Sequence, residues 1–457
     1  MSRMELRGVL LSLCLMASAA CGHTGGIESG TSAALSDEGT ENEFISVEGG
    51  EFVLEGSPYN FVGVNFWYGA YLGAGDGIGD IERLRAELDL LKSLGVTNLR
   101  ILGASESSPM RDSVSPAFSD RNGNYNETLL KGLDVLLTEL QARDMHAVIY
   151  LNNFWEWSGG MATYLSWVNG GVIVDPSDPE FPWPLYPIFT KQFYSNDAAQ
   201  ELFEDYLEAV VTRTNSITGI PYRDDPTIMA WQLANEPRPG NIEVFGQADL
   251  PSFQKWIDDT AGLIKSLDPN HLVSTGNEGY MGCAEFDPCF VDAHDGENID
   301  YLTIHIWPFN WGWFDRGDMA GTIDSSLARA TAYIEKHNRV AKAMNKPLVI
   351  EEFGLPRDAG AIAPGSPTTY RDKFLSLVYD AVETDVSTSG PISGTNVWSW
   401  GGYGRAQHED GVWQDGDKSY TGDPPQEAQG LNSIFDEDDE TLLLMRQHAD
   451  RLLELSE

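Results

Sequence analysis

Eight short apolar segments recur along the chain, and longer amphipathic segments separate them. The apolar segments occupy residues 60–67, 97–102, 146–152, 228–236, 272–278, 301–307, 347–353 and 395–400. Most of them are apolar throughout, which is typical of parallel strands covered on both faces. The intervening stretches include helix-like segments at 81–94, 128–143, 198–214 and 251–267. About eight strand-then-helix units predict an α/β fold, the (β/α)8 TIM barrel.

No linker-like stretch interrupts residues 44–457, so we expect this part of the chain to form one barrel domain. Its first residues, FISVEGGEFVLEG at 44–56, predict a β-hairpin that caps the bottom of the barrel. Residues 22–43 are rich in Gly, Ser, Thr and Glu and predict a flexible tether.

Residues 1–21 have the pattern of an export signal. Arg3 and Arg7 belong to the short charged region, and a mostly apolar run from Val9 to Ala20 ends at Cys21. The run Ser-Ala-Ala-Cys at 18–21 resembles a bacterial lipobox, although serine stands where leucine is usual. Two interpretations stay open, an exported cell-envelope lipoprotein lipidated on Cys21 and a protein secreted to the extracellular space.

The charge balance limits the kinds of molecule that the chain is expected to bind. The chain has 70 acidic and 29 basic residues, and its formal net charge is −41. This excess of acid argues against nucleic acid and anionic lipid, because their phosphates are bound by Lys and Arg. A neutral substrate fits this charge, and the only membrane contact we expect is through a lipid anchor on Cys21.

Neither a metal site nor a cofactor site is predicted. Cys283 and Cys289 lie close together in CAEFDPC, and in an exported protein this spacing favours a small-loop disulfide. No Cys or His pair with zinc-site spacing accompanies them. The glycines of GAGDGIG at 73–79 do not have the spacing of a dinucleotide-binding loop.

Polar and aromatic functional side chains stand at or near the end of almost every predicted strand. They are Asn65, Arg100, Asn152, Glu236, Glu278, His305, Glu352 and Trp398. The C-terminal ends of barrel strands converge on a single cleft. We therefore expect these side chains to form one site.

Two of these residues, Glu236 and Glu352, have the chemistry that glycoside hydrolysis requires. One carboxyl group protonates the leaving oxygen, and the other attacks the anomeric carbon or activates water. The apolar strand before Glu236 favours its neutral form, whereas Arg100 is the expected cation for an ionised Glu352. Because strand side chains alternate, only one of Glu351 and Glu352 is expected to face the cleft, and the pattern leaves open which one.

Four motifs on successive barrel strands, QLANEP, HIW, EEFG and WSWGG, resemble those of glycoside hydrolase family five. The segments NLRILGASE, LNNFWEWSGGMATYLSWV and GDPPQEAQGLNSIF are similar to its endo-β-1,4-mannanase branch. The resemblance runs from about residue 44 to residue 435. It implies retention of configuration, with Glu236 as the acid/base and Glu352, directly before Phe353-Gly354, as the nucleophile.

The resemblance also implies a substrate-binding set. Asn235 would bind the 2-hydroxyl of the cleaved sugar, Arg100 would hold the charge of the nucleophile, and Arg238 would reach the leaving-group side. Trp398 would be the platform under the sugar, with Trp400 as the alternative. The remaining members are Asn152, Asn153, Glu278, His305 and Trp307. Trp307 is a departure, since many family members have tyrosine at this position.

The resemblance implies an endo-β-1,4-mannanase that acts on mannan, glucomannan or galactomannan. A cellulase and an exo-acting β-mannosidase are alternatives with the same chemistry. A sugar-binding lipoprotein without turnover is a remote alternative, which the presence of both glutamates and Asn235 disfavours. Trp311 and Trp313, in the loop NWGWF, are the tryptophans most expected to be an exposed platform for a sugar ring.

Overall fold

The computed structural model of the chain describes residues 43–75, 77–240 and 248–456. Cys21, the predicted export signal and all but the last residue of the predicted tether lie outside the described residues. Within the described ranges, no helix is both long enough and apolar enough to cross a bilayer.

The first described elements are three short antiparallel strands, β1 (Ser46–Glu48), β2 (Glu51–Leu54) and β3 (Ser57–Pro58). Ile45 and Phe52 of this hairpin are buried in a small apolar cluster with residues from the N-terminal ends of the barrel strands, including Phe61 and Met229. Phe52 packs edge-to-face on Tyr301, with ring centroids 5.2 Å apart. The predicted hairpin cap at the bottom of the barrel is confirmed.

Eight parallel strands form the central sheet, and they confirm the predicted (β/α)8 barrel. They are β4 (Phe61–Asn65), β5 (Asn98–Leu102), β6 (His146–Tyr150), β7 (Ile228–Gln232), β8 (Leu272–Ser274), β9 (Leu302–Ile306), β10 (Leu348–Phe353) and β11 (Ile392–Val397). Their order in the sheet is β8-β7-β6-β5-β4-β11-β10-β9. Near the two edge strands, the N–H of Asp300 donates to Val273 O at 2.8 Å and the N–H of His305 donates to Glu278 O at 3.0 Å. These bonds bring the edges together and nearly close the cylinder.

Helices surround the sheet, and the four segments that the sequence predicts as helical are all helices. The described α-helices are α1 (Gly69–Gly73), α2 (Ile81–Ser93), α3 (Glu127–Gln141), α4 (Gly160–Val168), α5 (Leu185–Thr190), α6 (Asp197–Val211), α7 (Leu250–Leu267), α8 (Asp287–Asp292), α9 (Met319–Met344), α10 (Thr369–Val386) and α11 (Asp439–Ser456). The N-terminal residues Asp80 and Asn126 cap α2 and α3, because their side chains accept bonds from backbone N–H groups that have no partner within the helix.

Two further features complete the fold. Strands β12 (Trp400–Gly402) and β13 (Ile434–Phe435) form a small parallel pair after the barrel. Cys283, between β8 and α8, and Cys289, within α8, form a disulfide with a Cα–Cα distance of 5.7 Å.

Candidate active site

A cavity of about 670 Å3 lies where the C-terminal ends of the barrel strands meet. Seven of the residues predicted from the sequence line it, namely Asn235, Glu236, Arg238, Glu278, Trp307, Glu352 and Trp398. The convergence expected from parallel strands therefore does occur, although these residues are spread over positions 235 to 398 of the chain.

Glu236 and Glu352 lie close together at this cavity. One carboxyl oxygen of each and a ring nitrogen of His305 all lie within 4.8 Å of one another. Glu236 follows β7 with its backbone in the left-handed region, at φ 50°. That conformation costs a non-glycine residue about 1 kcal/mol and is typical of functional sites. A hydrogen bond of 2.9 Å from the N–H of Glu236 to Gly276 O holds it in place.

Arg100 lies fully buried beneath the cavity and connects the predicted site residues. Its guanidinium donates to Glu352 Oε1 through Nη1. It also donates through Nη2 to Asn235 Oδ1 at 2.8 Å and through Nε to Gln232 Oε1 at 2.9 Å. The guanidinium carbon lies 4.6 Å from the centre of the Tyr150 ring. Arg100 does not line the cavity, so it orients Glu352 and Asn235 from below.

The backbone of β10 breaks the alternation expected of a regular strand. The pairing of β10 with β9 shifts register between Ile350 and Glu352. As a result, Glu351 also reaches the interior, where its Oε2 lies 3.4 Å from Arg100 Nε and its Oε1 accepts a bond from Gln232. Both side chains thus point into the barrel, against the strict alternation assumed from the sequence, because a β-bulge places adjacent side chains on the same side. Only Glu352 reaches the cavity.

His305 contacts both cavity glutamates through one nitrogen. Its Nδ1 lies 2.6 Å from Glu236 Oε1 and 3.3 Å from Glu352 Oε2, and its Nε2 lies 3.6 Å from Glu351 Oε2. Burial alone would lower the pKa of His305, but the three surrounding carboxylates raise it to about 10. The ring is therefore an imidazolium at neutral pH.

The two cavity glutamates have pKa values displaced in opposite directions. Burial raises the pKa of Glu352 to about 7, even though His305 and Arg100 act to lower it. Burial also acts to raise the pKa of Glu236, but the imidazolium of His305, with help from Arg238 and Trp155, lowers it below its ordinary value. These pKa directions are the reverse of the order predicted from the sequence, a neutral Glu236 and an ionised Glu352. The reason is that His305 makes its shorter hydrogen bond to Glu236.

One half of the cavity is built around Glu236. Arg238 donates to both oxygens of Glu278, at 2.5 and 2.7 Å, and its guanidinium carbon lies 4.8 Å from the centre of the Trp155 ring. The indole Nε1 of Trp155 donates to Glu236 Oε2 at 2.5 Å. Burial raises the pKa of Glu278 to about 7. Arg238 and Trp155 therefore both favour the charged form of Glu236.

The opposite half of the cavity is built around Glu352. The indole Nε1 of Trp307 donates to Glu352 Oε2 at 3.3 Å, and the rings of Trp307 and Trp398 lie 5.9 Å apart. Glu427 also lines the cavity, and burial together with the nearby Asp423 raises its pKa well above its ordinary value. This half thus combines aromatic surface with a carboxyl group whose pKa is raised.

Three residues predicted to bind the sugar lie away from the cavity. Trp400 is fully buried, and its Nε1 donates to Glu87 Oε2 at 3.1 Å, so Trp400 is excluded as the alternative to the platform Trp398. Asn153 Oδ1 accepts bonds from Asn235 Nδ2 at 3.2 Å and from the N–H of Trp155 at 3.0 Å. Asn152 Oδ1 accepts from the N–H of Asn153 at 2.8 Å. The two asparagines support the cavity wall and do not face the sugar.

Several cavity residues had no predicted role. Trp155 follows β6 in the segment LNNFWEW, whereas Glu427 and Trp183 lie on segments that carry no strand-end signal. Trp311 of the predicted platform lines the cavity, whereas Trp313 packs beside it with ring centroids 4.9 Å apart.

Glu236, His305 and Glu352 are also the set of His and acidic residues, among those described, whose ligand atoms are close enough to hold a metal ion. The proton that the raised pKa keeps on His305 opposes metal binding, because a metal ligand must present a free lone pair. The cluster is better suited to proton transfer.

Comparison with known proteins shows which family the chain resembles. Residues 42–457 match the family model described as GH family 5 beta-mannosidase-like. The putative mannan endo-1,4-beta-mannosidase 9 of Oryza sativa subsp. japonica is 31% identical over 368 residues, which are 78% of this chain and 81% of that protein.

Solved structures of the same family are similar to this chain over most of its length. The crystal structure of the glycoside hydrolase family 5 mannosidase from Rhizomucor miehei aligns with a TM-score of 0.83 at 32% identity, covering 92% of this chain and 99% of that one. A glutamate-to-alanine variant of that mannosidase, in complex with mannosyl-fructose, aligns with a TM-score of 0.82 at 31% identity over 91% of this chain and 99% of that one.

Proposed function

This chain belongs to the β-mannosidase-like group of glycoside hydrolase family 5 and is a glycoside hydrolase, and we propose that it cleaves β-1,4-mannosidic bonds with retention of configuration. Two findings on related proteins support a mannose-containing substrate. The rice relative is named for mannan cleavage, and the Rhizomucor miehei mannosidase was crystallised with mannosyl-fructose.

The observation that carries the proposal is the short separation of the two carboxyl groups. Their oxygens lie within 4.8 Å. In retaining enzymes the two carboxyl groups are about 5–5.5 Å apart, whereas inverting enzymes hold them about 6.5–9.5 Å apart to leave room for a water molecule. The separation therefore favours direct attack on the sugar by one carboxylate.

In the proposed mechanism, Glu352 attacks the anomeric carbon while Glu236 protonates the leaving oxygen. Glu236 then takes a proton from water, whose oxygen displaces Glu352 from the same carbon. Arg100 and Trp307 hold the nucleophile. The reaction needs one proton on the pair, located on Glu236, although Glu352 is the carboxyl group whose pKa is raised. His305 Nδ1 contacts both carboxylates and offers a route for this proton.

Endo-acting cleavage of mannan, glucomannan or galactomannan is the form we propose first, because the rice relative is named an endo-β-mannosidase. Exo-acting β-mannosidase activity is the second candidate. It is favoured by the similarity to the Rhizomucor miehei mannosidase, which this chain covers almost completely.

A digest of mannohexaose tests both the chemistry and the mode of action. We expect 1H NMR to detect the β-anomer as the first product, since double displacement retains configuration. Early mannobiose and mannotriose would indicate endo action, whereas early mannose would indicate exo action. The α-anomer as first product would contradict the retaining mechanism, and faster cleavage of cellohexaose under the same conditions would contradict the substrate.

The roles of the two glutamates are tested separately with an activated aryl mannoside and azide. Glu352→Ala should lose hydrolysis, and azide should then yield the α-mannosyl azide by attack from the vacated face. Glu236→Ala should still form the glycosyl–enzyme ester, which azide opens to the β-azide. If Glu352→Ala gave the β-azide and Glu236→Ala gave the α-azide, the roles of the two glutamates would be reversed.

We also propose that the chain is exported, either with a lipid on Cys21 or as a secreted protein. The disulfide between Cys283 and Cys289 supports an oxidising compartment. Mass spectrometry of the membrane-bound and secreted forms from a bacterial host would test this. An intact N-terminus in the cytosolic fraction alone would contradict export, and a diacylglyceryl mass absent after Cys21→Ser would identify the anchor.

A further inference from the structure

Trp183 is unusually exposed for a tryptophan that lines the catalytic cavity. Its relative exposure is 63%, whereas Trp155, Trp307 and Trp398 in the same cavity are largely buried. Leaving a large aromatic surface in water is unfavourable, since burial of such a side chain stabilises by about 1.5–3 kcal/mol. An open ring beside a sugar-sized cavity is suited to a ligand that covers it.

The position of Trp183 assigns it to one half of the cavity. Its ring lies 6.5 Å from that of Trp155 at an interplanar angle of 26°, and Trp155 is itself stacked on Tyr186 at 6.1 Å and 8°. Trp155 donates to Glu236. Trp183 therefore continues an aromatic stack that begins at the proposed acid/base and not at the nucleophile.

We propose that Trp183 is the platform for the sugar unit on the leaving-group side of the scissile bond. The inference rests on the proposed function, because the group that protonates the leaving oxygen identifies the leaving-group side. The ligand is a β-linked hexopyranose unit, whose apolar C–H face packs on an indole ring. Arg238 and Glu278 in the same half offer polar partners for its hydroxyl groups.

The same platform acts in the second half of the reaction. The bond between Glu352 and the anomeric carbon breaks as an acceptor oxygen bonds to that carbon, and the acceptor's proton passes to Glu236. Water or a sugar hydroxyl group can be the acceptor. A sugar that stacks on Trp183 holds its hydroxyl near the reacting carbon, so Trp183 favours transfer to a sugar over hydrolysis.

Two kinds of substrate separate this role from a structural one. Mannotetraose places a sugar on the leaving-group side, whereas β-mannosyl fluoride and β-mannobiosyl fluoride place only fluoride there. We expect Trp183→Ala to lower kcat/KM for mannotetraose about 10-fold, which corresponds to the loss of one stacking contact. It should change kcat/KM for the fluorides little, and Trp183→Phe should restore most of the activity on mannotetraose.

A partition experiment completes the test. With β-mannobiosyl fluoride as donor and mannotriose as acceptor, Trp183→Ala should lower the ratio of transfer to hydrolysis several-fold. Leu185→Ala is the matched control, since Leu185 is 39% exposed in the adjoining helix α5 and does not line the cavity. An equal loss on all substrates, or an unchanged partition ratio, would overturn the inference. A wild-type protein inactive on every β-mannoside would instead overturn the proposed function.

Discussion

The Nδ1 atom of His305 and the Oε1 atom of Glu236 are joined by a hydrogen bond of 2.6 Å. This bond links strand β9 to Glu236, shortly after the end of β7, and both side chains are almost completely shielded from water. Because His305 carries a proton at neutral pH, the bond favours an ionised Glu236 in the free protein. The proton that catalysis requires therefore belongs to the carboxylate pair as a whole, as is typical of strongly interacting groups.

The pH dependence of activity should reveal the pKa of the Glu236–Glu352 pair. The pKa of Glu352 is raised to about 7, and the reaction needs one proton on the pair, so kcat/KM should fall as the pH rises above about 7. Trp307→Phe removes a donor to the ionised form of Glu352 and should raise the pKa of the pair further. The alkaline limb of the kcat/KM profile should then move to higher pH. Trp413→Phe is the control, because Trp413 does not line the cavity. If the alkaline limb did not move in Trp307→Phe, its assignment to the Glu236–Glu352 pair would be contradicted.

Removing the fork-shaped guanidinium of Arg100 should impair catalysis strongly. Arg100→Lys keeps a charge, but the donors of an ammonium group radiate from one nitrogen and do not reproduce the separate positions of Nε, Nη1 and Nη2 that bond Gln232, Glu352 and Asn235. We expect kcat to fall about 100-fold or more, on the scale of losing one preorganised contact to developing charge. Arg85→Lys on helix α2 is the matched control, because Arg85 is about half exposed and pairs with surface glutamates. Equal activity of the two variants would argue against a role for Arg100.

Substituting Glu351 and Glu352 one at a time tests which of the two glutamates at the β-bulge of β10 is the nucleophile. Glu352→Gln should lower kcat by about 10⁴-fold or more, as expected when a nucleophile is removed. Glu351→Gln should cost far less, because Glu351 contacts Arg100 and Gln232 but does not reach the cavity. The measurement is kcat on one aryl mannoside for both variants. A larger loss in Glu351→Gln would identify the other glutamate as the nucleophile.

Buried His337 should make the fold sensitive to acid. Its Nδ1 bonds Tyr333 O at 2.7 Å, and its Nε2 accepts the N–H of Tyr280 at 2.9 Å. Burial lowers its pKa to about 3, below the value of about 6.5 in an unfolded chain. The unfolded state therefore binds more protons, and the free energy of unfolding falls as the pH drops from about 6.5 towards 3, by up to about 1.4 kcal/mol per pH unit.

Urea unfolding between pH 7 and pH 4 measures this effect. His337→Gln removes the titrating group, so its unfolding free energy should decline less steeply with falling pH than that of the wild type, even if the variant is less stable at pH 7. Wild-type protein measured at the same pH values is the reference for this slope. Parallel curves for His337→Gln and the wild type would contradict the prediction.

The positions of the strands could be predicted because each is a continuous apolar run between polar segments. The C-terminal ends of parallel strands meet at one end of a barrel, so the strand pattern alone assigns Asn235, Glu236 and Glu352 to one cleft. Trp400 could not be separated from Trp398 in this way. Two tryptophans two positions apart satisfy the same pattern, and only the packing of Trp400 against Glu87 excludes it from the cleft.

The barrel and the end of it that holds the site follow from the sequence, because hydrophobic periodicity and the direction of the strands are local properties of the chain. The inward turn of Glu351, the approach of Trp183 to the cavity and the effect of His305 on Glu236 follow only from the folded arrangement of the chain. Each of these depends on distances of a few ångström between segments far apart in sequence. Hydrogen bonds and pKa values change sharply over such distances, whereas the pattern of residue types does not record them.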